Sequence, residues 1–238
     1  MKMELRKMKR TGFYPAMFIG GMVSGFFPII NMLVRSELYT SRPENPLTIL
    51  LSANWQMMGM LNLCMIVVGA CVLYHIEYAQ RAIYKMESLP YSMMKMFMTK
   101  VLLLFMTAVV MVGLEMGALA FCATQWFVAE EGFWKELLLC GGYECVMLIP
   151  SIVLMTWISS MSKNVWISLG IGAILIFLLS LFQTNNTDVV WFPFEMAQTY
   201  LIREKTDQVV RLIGTAALES MAFVLFEWIS YKLVREYR

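Results

Sequence analysis

Apolar residues fall into six long blocks separated by polar connections: roughly Tyr14 to Val34, Ile49 to Tyr74, Val101 to Phe127, Leu137 to Met161, Val165 to Phe182 and Val209 to Leu233. Each reaches about the 17–25 residues that a 30 Å hydrocarbon core demands of a helix. Glycine interrupts several blocks and none shows a sustained period of two, which argues for helices and against a transmembrane barrel. The pattern therefore predicts an all-α membrane protein, with six transmembrane helices in a single domain over residues 1–238.

Composition agrees. Hydrophobic residues make up 59% of the chain and charged residues 15%, far more apolar surface than one water-soluble core can hide, so lipid must be the solvent. Basic residues then set the orientation. Lys2, Arg6, Lys7, Lys9, Arg10, Arg81, Lys85, Lys95, Lys100, Lys163, Lys232, Arg235 and Arg238 fall on one side. The opposite connections carry Arg35, Arg42, Lys135, Arg203, Lys205 and Arg211, diluted by Glu37, Glu44, Glu130, Glu131, Asp188 and Glu204. Both termini are accordingly expected in the cytoplasm, and the basic start with its spanning apolar run reads as an uncleaved first span. A net charge of +2 is too small to suggest nucleic-acid binding. Cys64, Cys71, Cys122, Cys140 and Cys145 all lie in the spans without a C-x-x-C pair, as expected of small packing residues.

Three connecting segments carry further pattern. Before the first span, Leu5 and Met8 sit among basic residues as in a helix lying in the headgroup layer, and Pro15 re-aims the chain. A basic coil fits the same residues. In the longest cytoplasmic connection, Ile76, Ala79, Ile83 and Met86 recur at helical spacing opposite Glu77, Gln80, Arg81, Lys85 and Glu87, and Ser88-Leu89-Pro90 ends the run. Periodicity weighs a partner-docking helix and a plain interfacial loop equally. On the other side, Gln183 to Gln208 contains Trp191-Phe192-Pro193-Phe194, which suits either a re-entrant segment or an aromatic belt. Gly21-x-x-x-Gly25 and Gly113-x-x-x-Gly117 would allow close helix approach, and Pro150 is expected to kink the fourth span with Ser151 nearby to satisfy freed backbone groups.

Four carboxylates lie inside the apolar blocks: Glu115, Glu144, Glu219 and Glu227. A charge at mid-membrane costs about 2.5–3.5 kcal/mol on insertion scales, so each must be protonated, bonded within the bundle, or turned to water or a permeant. Glu219 and Glu227, eight residues apart, stand about 12 Å apart along a helix and roughly 80° around it, too far for one compact site. The set is thus a candidate substrate pathway, with structural glutamates as the rival for each member. Intramembrane catalysis fits poorly: His75 is the only histidine and lies at a span boundary, and both aspartates, Asp188 and Asp207, lie outside the spans. No glycine precedes a lysine, which excludes a G-x-x-x-x-G-K-[ST] nucleotide loop and any ATPase activity of that kind in this chain.

The basic opening Glu4-Leu5-Arg6-Lys7-Met8-Lys9-Arg10-Thr11, and the cytoplasmic run from Glu77 through Arg81, Ile83 and Glu87-Ser88-Leu89-Pro90 to Lys100, resemble the permeases of type-2 ABC exporters. Among these the chain is most similar to the lantibiotic-immunity permeases of Gram-positive bacteria. The resemblance implies an N-terminal elbow helix and a coupling helix between spans 2 and 3, with Glu77, Tyr78, Arg81, Tyr84, Lys85 and Ser88 facing an ATPase. It further implies two ATPase copies that bind ATP and magnesium, a second permease subunit, identical or different, and expulsion of a hydrophobic or cationic antimicrobial peptide from a bacterial cytoplasmic membrane. No cofactor or metal is expected in this chain itself. Two alternatives remain at this point: a type-2 permease for another substrate, such as a drug, ion or lipid-linked molecule, and a membrane scaffold or sensor without transport.

Overall fold

The structure, a computed structural model, describes residues 8–9, 11–79, 93–127, 132–162, 164–182, 192–198 and 206–236. Every regular element among them is helical: α1 (Phe13–Thr40), α2 (Pro46–Ala79), α3 (Met93–Trp126), α4 (Phe133–Met161), α5 (Val165–Phe182), the single turn α6 (Pro193–Met196) and α7 (Thr206–Glu236). Local chemistry explains several of the starts. Asn45 accepts a hydrogen bond from the Leu47 amide at 3.0 Å, with Pro46 filling the first helical position, where its missing N–H costs nothing. Asn164 caps α5 in the same way through the Trp166 amide at 3.0 Å. Gly12 and Gly132, at φ +72° and +98°, turn the chain into α1 and α4 through a conformation that side chains rarely tolerate.

Among the described residues, five helices are long and apolar enough to cross a membrane: α1, α2, α3, α4 and, within α7, Val209–Leu233. The fifth expected span, α5, is an apolar helix of 18 residues whose described apolar stretch, Val165–Leu178, is shorter than the others. The helices overrun the expected blocks. α2 and α3 continue at the end of the bundle where α1 begins, through His75–Ala79 and Met93–Lys100. In α1 the backbone leaves helical geometry at Arg35 (φ −133°, ψ 32°), directly after the last apolar residue of its block.

α2, α3 and α4 form the interior, where Leu63, Ile66, Leu104, Met147, Leu148 and Ile152 are fully buried. α1 lies chiefly against α3, α5 against α2, and α7 against α4. Trp157 of α4 stacks on Phe223 and Phe226 of α7, with ring centroids 6.5 and 5.9 Å apart. Outward faces carry Phe18, Phe26, Leu138, Trp166 and Phe177, as an acyl-chain solvent favours. Gly21 and Gly25 do sit at the α1–α3 contact, where a Cβ on Gly21 would come within 3.0 Å of Met111 and one on Gly25 within 3.3 Å of the Leu114 carbonyl. Gly113 and Gly117 front open space instead, so this second small-residue motif makes no close approach within the described bundle.

Residues 192–198, between α5 and α7, enter the bundle. α6 buries Phe194 and Met196, and the Ser151 hydroxyl donates to the Pro193 carbonyl at 2.6 Å. Ser151 lies eighteen residues into α4, about 27 Å from its start, so this turn reaches deep between the helices. That geometry agrees with a re-entrant segment rather than an interfacial belt; Trp191 lies outside the described residues. Ser151 therefore serves the inserted turn rather than the backbone that Pro150 frees in its own helix.

Leucine at position 21 should overpack the α1–α3 contact and destabilise the bundle by about 1–3 kcal/mol. Alanine at Gly117 should be neutral or stabilising by up to about 1 kcal/mol, since alanine favours the helix and the space is open. Thermal unfolding of the two variants in one detergent compares them.

Candidate functional site

Two of the four intramembrane carboxylates meet at the centre. Glu115 of α3 and Glu144 of α4 are 0% and 1% exposed, and the side-chain amide of Asn62 of α2 lies between them. Its nitrogen donates to Glu115 Oε2 at 2.9 Å and to Glu144 Oε1 at 2.7 Å, using both of its hydrogens. Ser24 of α1 donates to the remaining oxygen of Glu115 in a short hydrogen bond. Four helices thus supply one residue each to a buried polar cluster. Glu144 Oε2 and Asn62 Oδ1 are buried and without a hydrogen-bond partner among the described residues. Neither Asn62 nor Ser24 stood out in the sequence. An uncharged polar residue within an apolar block whose helical phase places it opposite a glutamate was the available signal.

The other two glutamates lie apart on α7, and both are partly exposed. Glu227 accepts from the Ser160 hydroxyl at 2.9 Å, which also lies 2.7 Å from the Trp157 carbonyl oxygen. Glu219 keeps one carboxylate oxygen buried without a hydrogen-bond partner among the described residues.

A second polar assembly ties the helices at the end of the bundle where α1 begins. Lys100 of α3, expected among the basic residues of the cytoplasmic side, is fully buried. Its ammonium lies 3.8 Å from Glu77 Oε1, donates to the Leu73 carbonyl at 2.9 Å, and sits 3.8 Å from the centre of the Tyr74 ring. Glu77, expected on a wet face, is 1% exposed. One turn of helix thereby pins α2 to α3. The next residue, Tyr78, donates its hydroxyl to the Ser160 carbonyl of α4 in a short hydrogen bond. Ser160 is thus the meeting point of α2, α4 and α7.

Of the residues expected to face an ATPase, Glu77 and Tyr78 are described, while Arg81, Tyr84, Lys85 and Ser88 lie outside the described residues, as does most of the expected elbow segment. What the structure places is the anchor of that connection: α2 runs into it directly from the clamped Glu77 and Tyr78. Among the described residues no group of three or more His, Cys, Asp or Glu side chains is arranged to hold a metal ion. The five cysteines are unpaired by disulfides, and Cys71 packs its sulfur 3.7 Å from the Ser159 hydroxyl.

Comparison with known families brings the sequence and this geometry together. The family described as "ABC-2 family transporter protein" matches residues 1–179, three quarters of the chain, which takes in α1 to α4, most of α5 and the connection between α2 and α3. No curated protein and no solved structure matches the chain.

Removing one partner of a buried ion pair leaves the other charge without compensation, at a cost of about 3–5 kcal/mol. Lys100→Ala should therefore destabilise the helix bundle by that amount. Lys100→Met combined with Glu77→Leu should recover most of the loss. Unfolding in detergent of the single and double variants measures both.

Proposed function

Because the chain belongs to the ABC-2 family of transporter proteins, a group of membrane permeases energised by an ATPase partner, we propose that it is the permease subunit of an exporter that removes antimicrobial peptides of the lantibiotic type from the membrane. It is a multi-pass membrane protein of a family whose permeases work with an ATPase partner, here taken as a separate polypeptide. In this reading six spans cross a bacterial cytoplasmic membrane with both termini inside, α5 being the shortest of them. Two ATPase copies bind ATP and magnesium, and a second permease, identical or different, completes the pathway. α7 offers that partner a surface, since 6% of its most apolar stretch is buried within the chain.

The observation that carries the reading is the clamp at the start of the connection between α2 and α3. A coupling helix beyond α2, ending at Leu89 and held in a cleft of the ATPase, would pull on Glu77 and Tyr78, hence on Lys100 of α3, Ser160 of α4 and, through Ser160, Glu227 of α7. Closure of the ATPase pair would reach four helices through side chains that are already bonded. Arg81, Tyr84, Lys85 and Ser88 would supply the contacts to the ATPase, and Glu77 and Tyr78 the internal anchor. For the cargo, the residue pattern of the basic opening and the cytoplasmic run supports a peptide. The partly exposed Glu219 and Glu227 are the carboxylates best placed to meet a cationic one, while Glu115 and Glu144 stay inside the subunit.

Replacing Arg81 with glutamate or Tyr84 with alanine should leave membrane insertion and complex assembly intact while separating ATP hydrolysis from protection of cells against added peptide. Normal protection in both variants would refute the docking role. Purification of the tagged chain from its native membrane should recover an ABC ATPase, and cells lacking the chain should become sensitive to lantibiotics. Sensitivity to drugs or ions in their place would move the substrate assignment to another class.

A further inference from the structure

The buried cluster of Ser24, Asn62, Glu115 and Glu144 is short of hydrogen-bond donors, and two of its oxygens, one of them on a carboxyl group, go without. Ser24 offers one hydrogen and the Asn62 amide two, and all three are taken: two by the oxygens of Glu115 and one by Glu144 Oε1. Glu144 Oε2 receives none, and neither does Asn62 Oδ1, although both atoms are sealed from solvent. A bare carboxylate oxygen in such surroundings forfeits its solvation without compensation.

Positive charge does not arrive from elsewhere along the contributing helices. Arg35 stands eleven residues from Ser24 on α1, His75 thirteen from Asn62 on α2, Lys100 fifteen from Glu115 on α3 and Lys135 nine from Glu144 on α4. These separations are about 14–22 Å along the helix axes. The titratable groups whose charges act on one another around Glu144 are Glu115 across the cluster and, on its own helix, the thiols of Cys140 and Cys145 and the carboxylate of Glu136, which acts on Cys140; none of them is a cation. α1 and α2 contribute the uncharged Ser24 and Asn62. Two full negative charges bridged by one amide in a medium of low dielectric repel strongly, and like-charged carboxylates sharing a site keep a proton between them. Among the described residues no three His, Cys, Asp or Glu side chains are grouped to hold a metal ion, and the carboxyl oxygen left without a donor can take a proton without further ligands.

We propose that the cluster is a proton-binding site in which Glu144 carries one proton on Oε2 while Glu115 remains the ion that Ser24 and Asn62 solvate. Binding forms one O–H bond on Glu144 and reduces the charge of the pair from two to one. Packing of α1 to α4 around Asn62 requires that proton. Displacing α4 so that Glu144 leaves the Asn62 amide and meets water releases it, so the rearrangement of this subunit takes up or gives off a proton. The inference goes beyond the permease reading and does not depend on the cargo.

Infrared spectroscopy of the purified full chain in lipid vesicles tests it. The wild type should show the carbonyl stretch of a protonated carboxylic acid at neutral pH, shifted in heavy water and unchanged in intensity from about pH 5 to pH 8. The band should lose one component in Glu144→Gln, whose amide mimics the neutral acid in shape, and that component should remain in Glu219→Gln and Glu227→Gln. A wild type without the band, or with one that titrates away like a solvent-exposed carboxyl, would overturn the proposal before any variant is made. An undiminished band in Glu144→Gln would overturn it as well.

Discussion

A polar side chain inside hydrocarbon has to find its hydrogen-bond partners in the protein, and in this bundle the partners lie on other helices. Apolar faces specify little here, because lipid tails are as apolar as leucine and helices can slide against one another at small cost. Asn62 removes that freedom. Its amide reaches Glu115 and Glu144 only when α2, α3 and α4 share one depth and one rotation, and Ser24 adds α1 to the same register. Cross-helix hydrogen bonds in membranes average only about 0.6 kcal/mol each, so the cluster matters more for selecting one arrangement than for total stability.

Much of the architecture was legible in the apolar blocks, since a hydrocarbon core forces one solution on a chain of this composition. The inserted turn at Pro193–Met196 was one of the readings open for a proline among aromatics, and an aromatic belt fitted the same residues equally well until the Ser151 contact was placed. What stayed hidden was pairing. Glu115 and Glu144 announce themselves by charge, but nothing local says that they meet, because contact depends on the relative rotation of helices far apart in sequence. Asn62 and Ser24 are uncharged and common enough in membrane helices to pass as filler. Lys100 and Glu77 misled for a different reason: each sits near a block boundary, where a charged residue ordinarily reaches water. The continuation of α2 and α3 beyond the blocks turned them toward each other. Gly113 and Gly117 show the limit of spacing as a signal, since the motif is present and the close approach is not.

The two polar assemblies divide the labour of the subunit. The central one, distant from either end of the helices, fixes how α1 to α4 pack. The other joins α2, α3, α4 and α7 at the point where the chain leaves for the connection expected to meet the ATPase. α7 depends on aromatic stacking at Trp157 and on Ser160 for much of its attachment, so it is bound to the rest largely along α4.

Ser160 presents its carbonyl to one neighbouring helix and its hydroxyl to another from a single residue. A slide of α4 by a helical turn would break both bonds in one stroke, since neither oxygen can move without the other. The Ser160 hydroxyl would keep the Trp157 carbonyl of its own helix, while Tyr78 and Glu227 would lose Ser160 as their partner. Such a junction ties α4 to two neighbours through one residue, so that a shift of α4 is felt by α2 and α7 together, like a rivet through three plates.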